Sequence, residues 1–462
     1  MNNIVIMWFR LDLRIQDNPA LHAAAKAGQV LPLYIVDDEE AGEFKPGSNS
    51  QYWLYHSLKS LNEALDNKLL VIKGKAQSVL DALCKKHHVS AIFWNRCYEP
   101  WRMQRDTALK SYFQSNDIKV ESFNSQLLFE PFKIKNKSGG VYKIFTPFYK
   151  KACLPQIDQI LNPLKKTKLS LLDYKPNNKL LETFGVNTSE LLPEPKTINE
   201  KKAHQQLTKF LSEKIADYNR GRDYPAESAT SRISAYLHYG QISPRQIVFS
   251  LRQYAFDDYE PFLRELIWRE FAYYCLYHFN DLPKKAMQEK FRHFPYSNNK
   301  QWLTAWQQGK TGYPIVDAGM RELNETGHMH NRVRMITASF LVKNLMWDWR
   351  AGAAYFWEKL LDADLASNNA SWQWVAGSGT DSAPYFRIFN PVLQGEKFDP
   401  DGLYIKHFLP ELKNIPKKYC HKPWECPNDI LKKLALKVDY PSPIVDLKIS
   451  RLEALAAYNQ IK

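Results

Sequence analysis

The chain lacks the signatures that announce the common nucleotide, protease and metal enzymes. Its first strand-like run, Ile4 to Phe9, leads into Arg10-Leu11-Asp12-Leu13-Arg14 and not into Gly-x-Gly-x-x-Gly. A standard dinucleotide turn is therefore excluded there. No P-loop and no His-Glu-x-x-His pair occurs, and Gly377-Ser378-Gly379 does not complete a nucleophile elbow. The six cysteines, Cys84, Cys97, Cys153, Cys275, Cys420 and Cys426, show no CxxC spacing, and Cys420-His421 with Cys426 has no second ligand pair nearby. Asp362-Ala363-Asp364 is followed by Ala366, Ser367 and Gln373 where a calcium loop needs Asp or Asn, Gly and Glu. No metal is expected on these grounds. No apolar stretch reaches membrane length, and Met1 leads at once into a strand without a basic leader or cleavage site. The expectation is a soluble cytoplasmic protein with no membrane partner.

What is present points elsewhere. A length of 462 residues implies two or three domains. With 63 Lys and Arg against 49 Asp and Glu, the formal charge is +14, which favours a polyanionic partner through counterion release and steering. Aromatic residues make up 13%, with 13 Trp; such rings stack on bases or flavins, or fill a core.

The first 130 residues alternate strand-length apolar runs (Ile4 to Phe9, Leu31 to Val36, Leu69 to Ile72, Ala91 to Trp94) with helical stretches such as Tyr52 to Leu65 and Gln77 to Lys86. This predicts an α/β domain with a Rossmann-like parallel sheet over 1–130. Residues 131–202 turn at Ser138-Gly139-Gly140 and then become rich in Lys, Asn and Pro, which reads as a long connector laid over the surface. From 203 to 462 helical periodicity dominates, predicting an all-α domain.

Four stretches of the helical half carry mixed chemistry. Between Pro261 and His278, Leu263, Ile267, Phe271 and Tyr274 form a core stripe; Glu265, Trp268, Arg269 and Ala272 form another that suits a planar, polar, anionic ligand. Asn331 opens a predicted helix running to about Trp349, with Asn331, Arg334 and Met335 on one face and Arg332 turned away. Asp364, Asn368 and Trp372 fall four apart, placing acceptors beside an aromatic ring. Thr230-Ser231-Arg232-Ile233-Ser234 is a hydroxyl-rich turn entering a helix, able to cradle a pyrophosphate or to serve as a plain N-cap.

Together these segments resemble the class I cyclobutane pyrimidine dimer photolyases of the photolyase/cryptochrome family. Thr311-Gly312-Tyr313-Pro314-Ile315-Val316-Asp317-Ala318, Met329-His330-Asn331-Arg332, Ser371-Trp372-Gln373-Trp374 and Pro384 to Pro391 look like the family's motifs, as does Trp8 to Arg14 with Asp17-Asn18-Pro19. The resemblance spans nearly the whole chain. It implies an FAD-binding helical domain, with Tyr218 and Thr230, Ser231, Arg232, Ile233 and Ser234 at the FAD phosphates and nearby groups. Arg269, Arg334, Asp362, Ala363, Asp364 and Asn368 would line the rest of the cofactor pocket, Asn368 near the reactive N5, with Asp362 able to pair with Arg334.

The implied partner is DNA containing a cyclobutane pyrimidine dimer, bound by a monomer. Arg222, Glu265, Trp268, Arg269, Asn331, Arg332, Met335, Trp374 and Gln394 match lesion- and DNA-binding positions. Trp268 and Trp374 would be apolar walls, and Glu265 would hydrogen-bond the pyrimidine edge and stabilise its radical anion. In this family, light excites reduced FAD, which lends an electron to the dimer; the ring splits and the electron returns.

The chain departs from the family pattern in three places. Trp372 and Trp349 match the inner two members of an electron-relaying tryptophan triad, but the outer place holds Tyr296, with Trp302 and Trp306 as alternatives. The Asn-Glu pair that binds a folate antenna in some relatives is Trp101-Arg102 here, although Lys284 could match a folate-contacting lysine; folate, a deazaflavin and no antenna all stay open. His328 stands where relatives usually carry Trp. Rival readings are a cryptochrome-type light receptor, which would lose some lesion-pocket residues, and a (6-4) photolyase, which would show His where Asn331 and Met335 stand. A non-catalytic DNA-binding module would not need the flavin-lining set.

Overall fold

The computed structural model describes residues 3–174, 176, 179, 192–433 and 440–462. They form two compact units: Met1–Ile215 with Ser231–Asn280 and Leu361–Ala366, and Ala216–Thr230 with Asp281–Leu360 and Ser367–Lys462.

The first unit contains a five-stranded parallel sheet in the order β3-β2-β1-β4-β5. Its strands are β1 (Ile4–Phe9), β2 (Gln29–Val36), β3 (Leu70–Lys73), β4 (Val89–Asn95) and β5 (Lys119–Phe123). The central strands are apolar on both faces because crossover helices cover both. Ile6, Trp8, Leu33, Ile92, Trp94 and Phe113 sit in the resulting core. Pro32 is tolerated inside β2 because pairing with β3 begins only at Leu33–Leu70, so its missing N–H breaks no bond on that side. The edge strand β5 was not among the predicted runs. Its Lys-Val-Glu-Ser-Phe buries only Val120, too little apolar character to stand out.

Strand order reverses between β1 and β4, the place where α/β sheets ordinarily leave a ligand crevice. Here the segment after β1 fills it with paired polar groups. Asn95 Nδ2 donates to Asp12 Oδ2 at 2.5 Å and to Asn18 Oδ1 at 2.7 Å. Asn18 also caps the Pro19–Ala27 helix by accepting Leu21 N–H at 3.1 Å, with Pro19 at the first helical position. Arg14, 1% exposed, donates to Asp17 O and Gly240 O, each at 2.8 Å, and to Ser125 Oγ. Leu13 N–H meets Tyr239 O at 3.0 Å, and Ser243 Oγ donates to Asp17 Oδ2 at 2.5 Å. Gly240 has φ +70, and a Cβ there would lie 2.2 Å from Leu11 O. Only glycine permits this contact.

The segment expected as a surface connector is partly internal. Phe145, Phe148, Tyr149, Ala152, Cys153 and Ile157 are buried, and Phe148 packs against Phe271 and Tyr274 with ring centroids 5.2 and 5.0 Å apart. Aromatic spacing within 145–153 builds short helical turns that cover the Phe256–His278 helix. Of the Lys-, Asn- and Pro-rich stretch from Asn162 to Lys202, residues 175, 177, 178 and 180–191 lie outside the described residues.

The second unit is helical. Its Thr311-Gly312-Tyr313-Pro314 turn is a clamp: Asp317, 0% exposed, accepts Thr311 N–H at 2.7 Å, Thr311 Oγ1 at 2.6 Å, Gly312 N–H at 3.0 Å and Tyr440 O–H at 2.5 Å. The helix expected from Asn331 to about Trp349 is broken. It runs over Asn331–Ser339, widens to a π-helical turn at Phe340–Asn344, passes Met346 at φ +49, and restarts as Trp349–Lys359 with Asp348 as N-cap. Among the described residues, no helix is long and apolar enough to cross a membrane.

Arg14 should be a stability determinant of the first unit. Arg14→Met removes a buried guanidinium and strands its carbonyl partners, so urea unfolding should show a loss of about 3 kcal/mol; a loss under about 0.5 kcal/mol, the size of an ordinary surface change, would refute this.

Candidate functional site

In the first unit, the Phe256–His278 helix carries both predicted stripes. Leu263, Ile267, Phe271 and Tyr274 are buried, while Glu265, Trp268 and Arg269 are half-buried. Trp268 lies flat on Phe145, with ring centroids 3.7 Å apart and planes 7° apart. That stack stiffens one face of the indole. Arg269 Nη1 donates to Gln126 O at 2.8 Å, and the guanidinium sits 4.8 Å from the Tyr273 ring centre. Its Nη2 is buried with no hydrogen-bond partner among the described residues. An unmet buried donor is costly, so it marks a place for an acceptor from outside the protein.

Asp364 anchors the same region. Burial pushes its carboxyl up, but the hydrogen bond and charge of His238, with Arg269 and Tyr273, outweigh burial and hold it well below the usual range. His238 Nδ1 lies 3.1 Å from Asp364 Oδ2, and Tyr273 O–H donates to the same oxygen. Gln126 Nε2 donates to the Tyr273 hydroxyl at 2.9 Å. Glu270 faces the opposite balance. It accepts Leu128 N–H at 2.9 Å and Phe129 N–H at 3.2 Å, yet burial pushes its carboxyl up to about 7 against the attraction of Arg269.

His238, Tyr273, Gln126 and Glu270 escaped the sequence reading. Tyr273 was within reach, since it continues Glu265 and Arg269 at a spacing of four. His238 and Gln126 come from chain segments far away in sequence, and Glu270, although beside Arg269, lies on neither predicted stripe. Asp364 itself is corrected: it precedes the Leu365–Ala376 helix and so does not share a helical face with Asn368 and Trp372. The half-buried Asp362 and buried Ala363 come just before it.

The hydroxyl-rich turn divides at the unit boundary, Thr230 belonging to the second unit and Ser231 onward to the first. Arg232 has φ +50 and is exposed, Ile233 is buried, and Ser234 is exposed. Ile233 is the N-cap of Ser234–His238, with no side-chain cap bond. The alternative use of this run as a plain hydroxyl N-cap is therefore not taken up. Gln206 Nε2 holds Ser231 O at 3.0 Å.

In the second unit, Arg222 lies with its guanidinium carbon 5.4 Å from the ring centre of the buried Tyr218. Asn331 is exposed, Met335 half-buried, and the two arginines have different partners, as their spacing implied. Arg332 Nη2 donates to Asp223 Oδ1 at 2.6 Å and packs 4.3 Å from the Phe398 ring centre, whereas Arg334 Nε donates to Met329 O at 2.7 Å. Asn368 Nδ2 donates to Ala353 O at 2.9 Å. Trp374 and Gln394 are half-buried.

Trp372 packs so closely on Gly352 that a Cβ there would sit 2.1 Å from its ring. Trp349, buried one turn earlier on that helix, shares the Gly352 face. Trp306 is also fully buried, 6.2 Å from Trp372 between ring centroids, with Nε1 bonded to Thr337 O at 3.0 Å. Tyr296 is half-buried beside Phe294, centroids 5.0 Å apart.

Comparison with known proteins matches residues 5–166 to DNA photolyase and residues 262–460 to the FAD binding domain of DNA photolyase. A deoxyribodipyrimidine photo-lyase of Agrobacterium fabrum is 43% identical over 479 residues, covering 99% of this chain and 98% of that one. Cryptochrome-2 of Arabidopsis thaliana is 35% identical, covering 98% of this chain and 78% of its own. A crystal structure of a bacterial class III photolyase from Agrobacterium tumefaciens superposes with a TM-score of 0.92 at 42% identity, covering 100% of this chain and 98% of that one.

Glu270 gives this site a pH signature. An acid whose pKa is raised by folding binds its proton more tightly in the folded chain, so its contribution is full below its unfolded value and is lost as pH climbs through about 7. Measured by urea unfolding from about pH 5 to about pH 8, wild-type stability should fall relative to Glu270→Gln; a constant difference would show that Glu270 does not titrate in that range.

Proposed function

The chain belongs to the photolyase/cryptochrome family, and from that premise we propose that it repairs cyclobutane pyrimidine dimers in DNA by light-driven electron transfer. The observation that carries the reading is the Phe256–His278 helix, which presents Glu265, Trp268 and Arg269 on one face, Arg269 keeping a buried donor unmet.

That donor and the ionised Asp364 fit a polar ring system bearing both carbonyl and N–H groups. FAD held there in its reduced form would supply a photoexcitable electron donor for the dimer. Tyr218, Thr230, Ser231, Arg232, Ile233 and Ser234 hold the phosphate end. Arg269, Arg334, Asp362, Ala363, Asp364 and Asn368 line the rest. His238 keeps Asp364 charged. The Asn368 amide, tethered through Nδ2, offers Oδ1 as an acceptor.

DNA is met by Arg222, Asn331, Arg332, Met335 and Gln394, with the excess of 14 positive charges drawing the strand in. Dimerised pyrimidines pair and stack poorly, so flipping them out costs less than for intact bases. Trp268, stiffened by Phe145, and Trp374 then form apolar walls, while Glu265 hydrogen-bonds the pyrimidine edge and stabilises charge that develops there. Retention of Glu265, Trp268, Asn331, Met335 and Trp374 favours repair over a signalling role, and Asn331 with Met335 favours the cyclobutane lesion over the (6-4) one.

Residues 1–130 serve as the antenna domain, 131–202 as the connector and 203–462 as the catalytic part of a cytoplasmic monomer. The motifs favour class I. The likeness to a structure described as class III supports a second assignment of subclass, and an absorption spectrum of the purified protein, read for a folate or deazaflavin band beside FAD, addresses the antenna in either case.

Reduced protein illuminated with near-UV or blue light should remove dimers from an oligonucleotide, and Glu265→Ala should slow repair about tenfold or more. Flavin-loaded protein that leaves the dimers intact would sink the proposal. Electron supply runs inward from Tyr296 through Trp349 to Trp372. Trp372→Phe should slow flavin photoreduction most and Tyr296→Phe less; an unchanged rate in Tyr296→Phe would move the outer donor to Trp302 or Trp306.

A further inference from the structure

Glu322 is 3% exposed near the end of the Pro314–Thr326 helix, which stops at Gly327 with φ +66 and a bond from Gly327 N–H to Leu323 O at 3.0 Å. The chain then reverses through His328 and Met329 into the Asn331–Ser339 helix. The Glu322 carboxylate spans the reversal. Oε1 lies 3.1 Å from His328 Nδ1, while Oε2 accepts His330 N–H at 3.1 Å and Tyr404 O–H at 2.7 Å. Thr326 Oγ1 donates to Glu322 O at 2.7 Å and accepts His328 N–H at 3.2 Å. His330 is the N-cap of the next helix, its ring Nδ1 accepting Arg332 N–H at 3.3 Å. One carboxylate is thus bonded to both sides of the turn that delivers Asn331 and Arg332.

The resemblance implies a tryptophan at position 328, where this chain carries His328. An indole N–H can donate a hydrogen bond but brings no charge, whereas a buried carboxylate is costly unless paired. Burial pushes Glu322 up, but the hydrogen bond and charge of His328, followed by Tyr404 and the His330 amide, hold it below the ordinary carboxylate range. His328 and the buried acid Glu322 therefore form a hydrogen-bonded pair across the turn.

We infer that Glu322, paired with His328, is a positioning residue for DNA recognition: it sets the entry of the Asn331–Ser339 helix and so the presentation of Asn331, Arg332 and Met335. This rests on the repair reading above.

The test is a double-mutant cycle on the flavin-loaded full chain with His328→Trp, Glu322→Gln and both together. Amide hydrogen exchange from His328 to Met335 is read beside affinity for a dimer-containing oligonucleotide and repair per photon at saturating DNA. His328→Trp should speed exchange and weaken affinity about tenfold, with repair of bound dimers unchanged. Adding Glu322→Gln, which keeps an oxygen for His330 N–H and needs no cation, should restore most of both. An additive double mutant overturns the inference. Should His328→Trp fail to retain flavin, Glu322→Gln should keep exchange protection that Glu322→Ala loses, and equal protection in the two would overturn it. Wild-type protein that binds no dimer-containing DNA overturns the repair reading and the recognition role with it, while the exchange measurement still judges the pairing alone.

Discussion

One buried guanidinium, Arg14, holds together the part of the molecule on which the first unit's site depends. It joins the segment after β1 to Ser125 and to the carbonyl of Gly240, with Leu13 N–H on Tyr239 O beside it. His238 sits immediately before that junction and reaches Asp364. Ser125 precedes Gln126, whose carbonyl holds Arg269 and whose amide holds Tyr273. A cation placed where α/β sheets usually open to a ligand thus acts as a fastener, because burying it is tolerable only when several acceptors close around it.

The same logic separates two carboxylates in the neighbouring helix environment. Asp364 has a histidine, a tyrosine hydroxyl and the field of Arg269, so its charge is held. Glu270 has two backbone N–H groups and lies 3.7 Å from Arg269 at one oxygen, which does not overcome burial. The opposite shifts follow from which partners replace the water each acid loses. Here Asp364 is held as a charged acceptor by His238 and Tyr273, while Glu270 secures the loop that carries Gln126.

Much of this was legible. Four of the five strands, the apolar stripe from Leu263 to Tyr274 and the separate partners of Arg332 and Arg334 follow from periodicity and spacing, which short-range sterics impose. The edge strand β5 was not legible because one buried valine is all it needs. The break between Ser339 and Trp349 was not legible because no proline or glycine marks it; a widened turn and one left-handed methionine do the work. Nor did the Lys- and Asn-rich composition beyond Pro131 reveal that 145–157 packs inside. Thr311 to Ala318, conspicuous as a motif, proved to be a backbone clamp around Asp317.

By itself the sequence determined the alternation of strands and helices, the absence of a glycine phosphate turn after β1, the helical faces bearing Glu265, Trp268 and Arg269, and the family resemblance they support. These are properties of residues a few positions apart, where local geometry leaves little choice. Tertiary structure alone decided that His238 and Tyr273 keep Asp364 charged, that Arg269 retains an unmet donor, and that Glu322 answers His328 across a turn. Such facts depend on how much water each group loses and which distant partner replaces it, and no local pattern encodes either quantity.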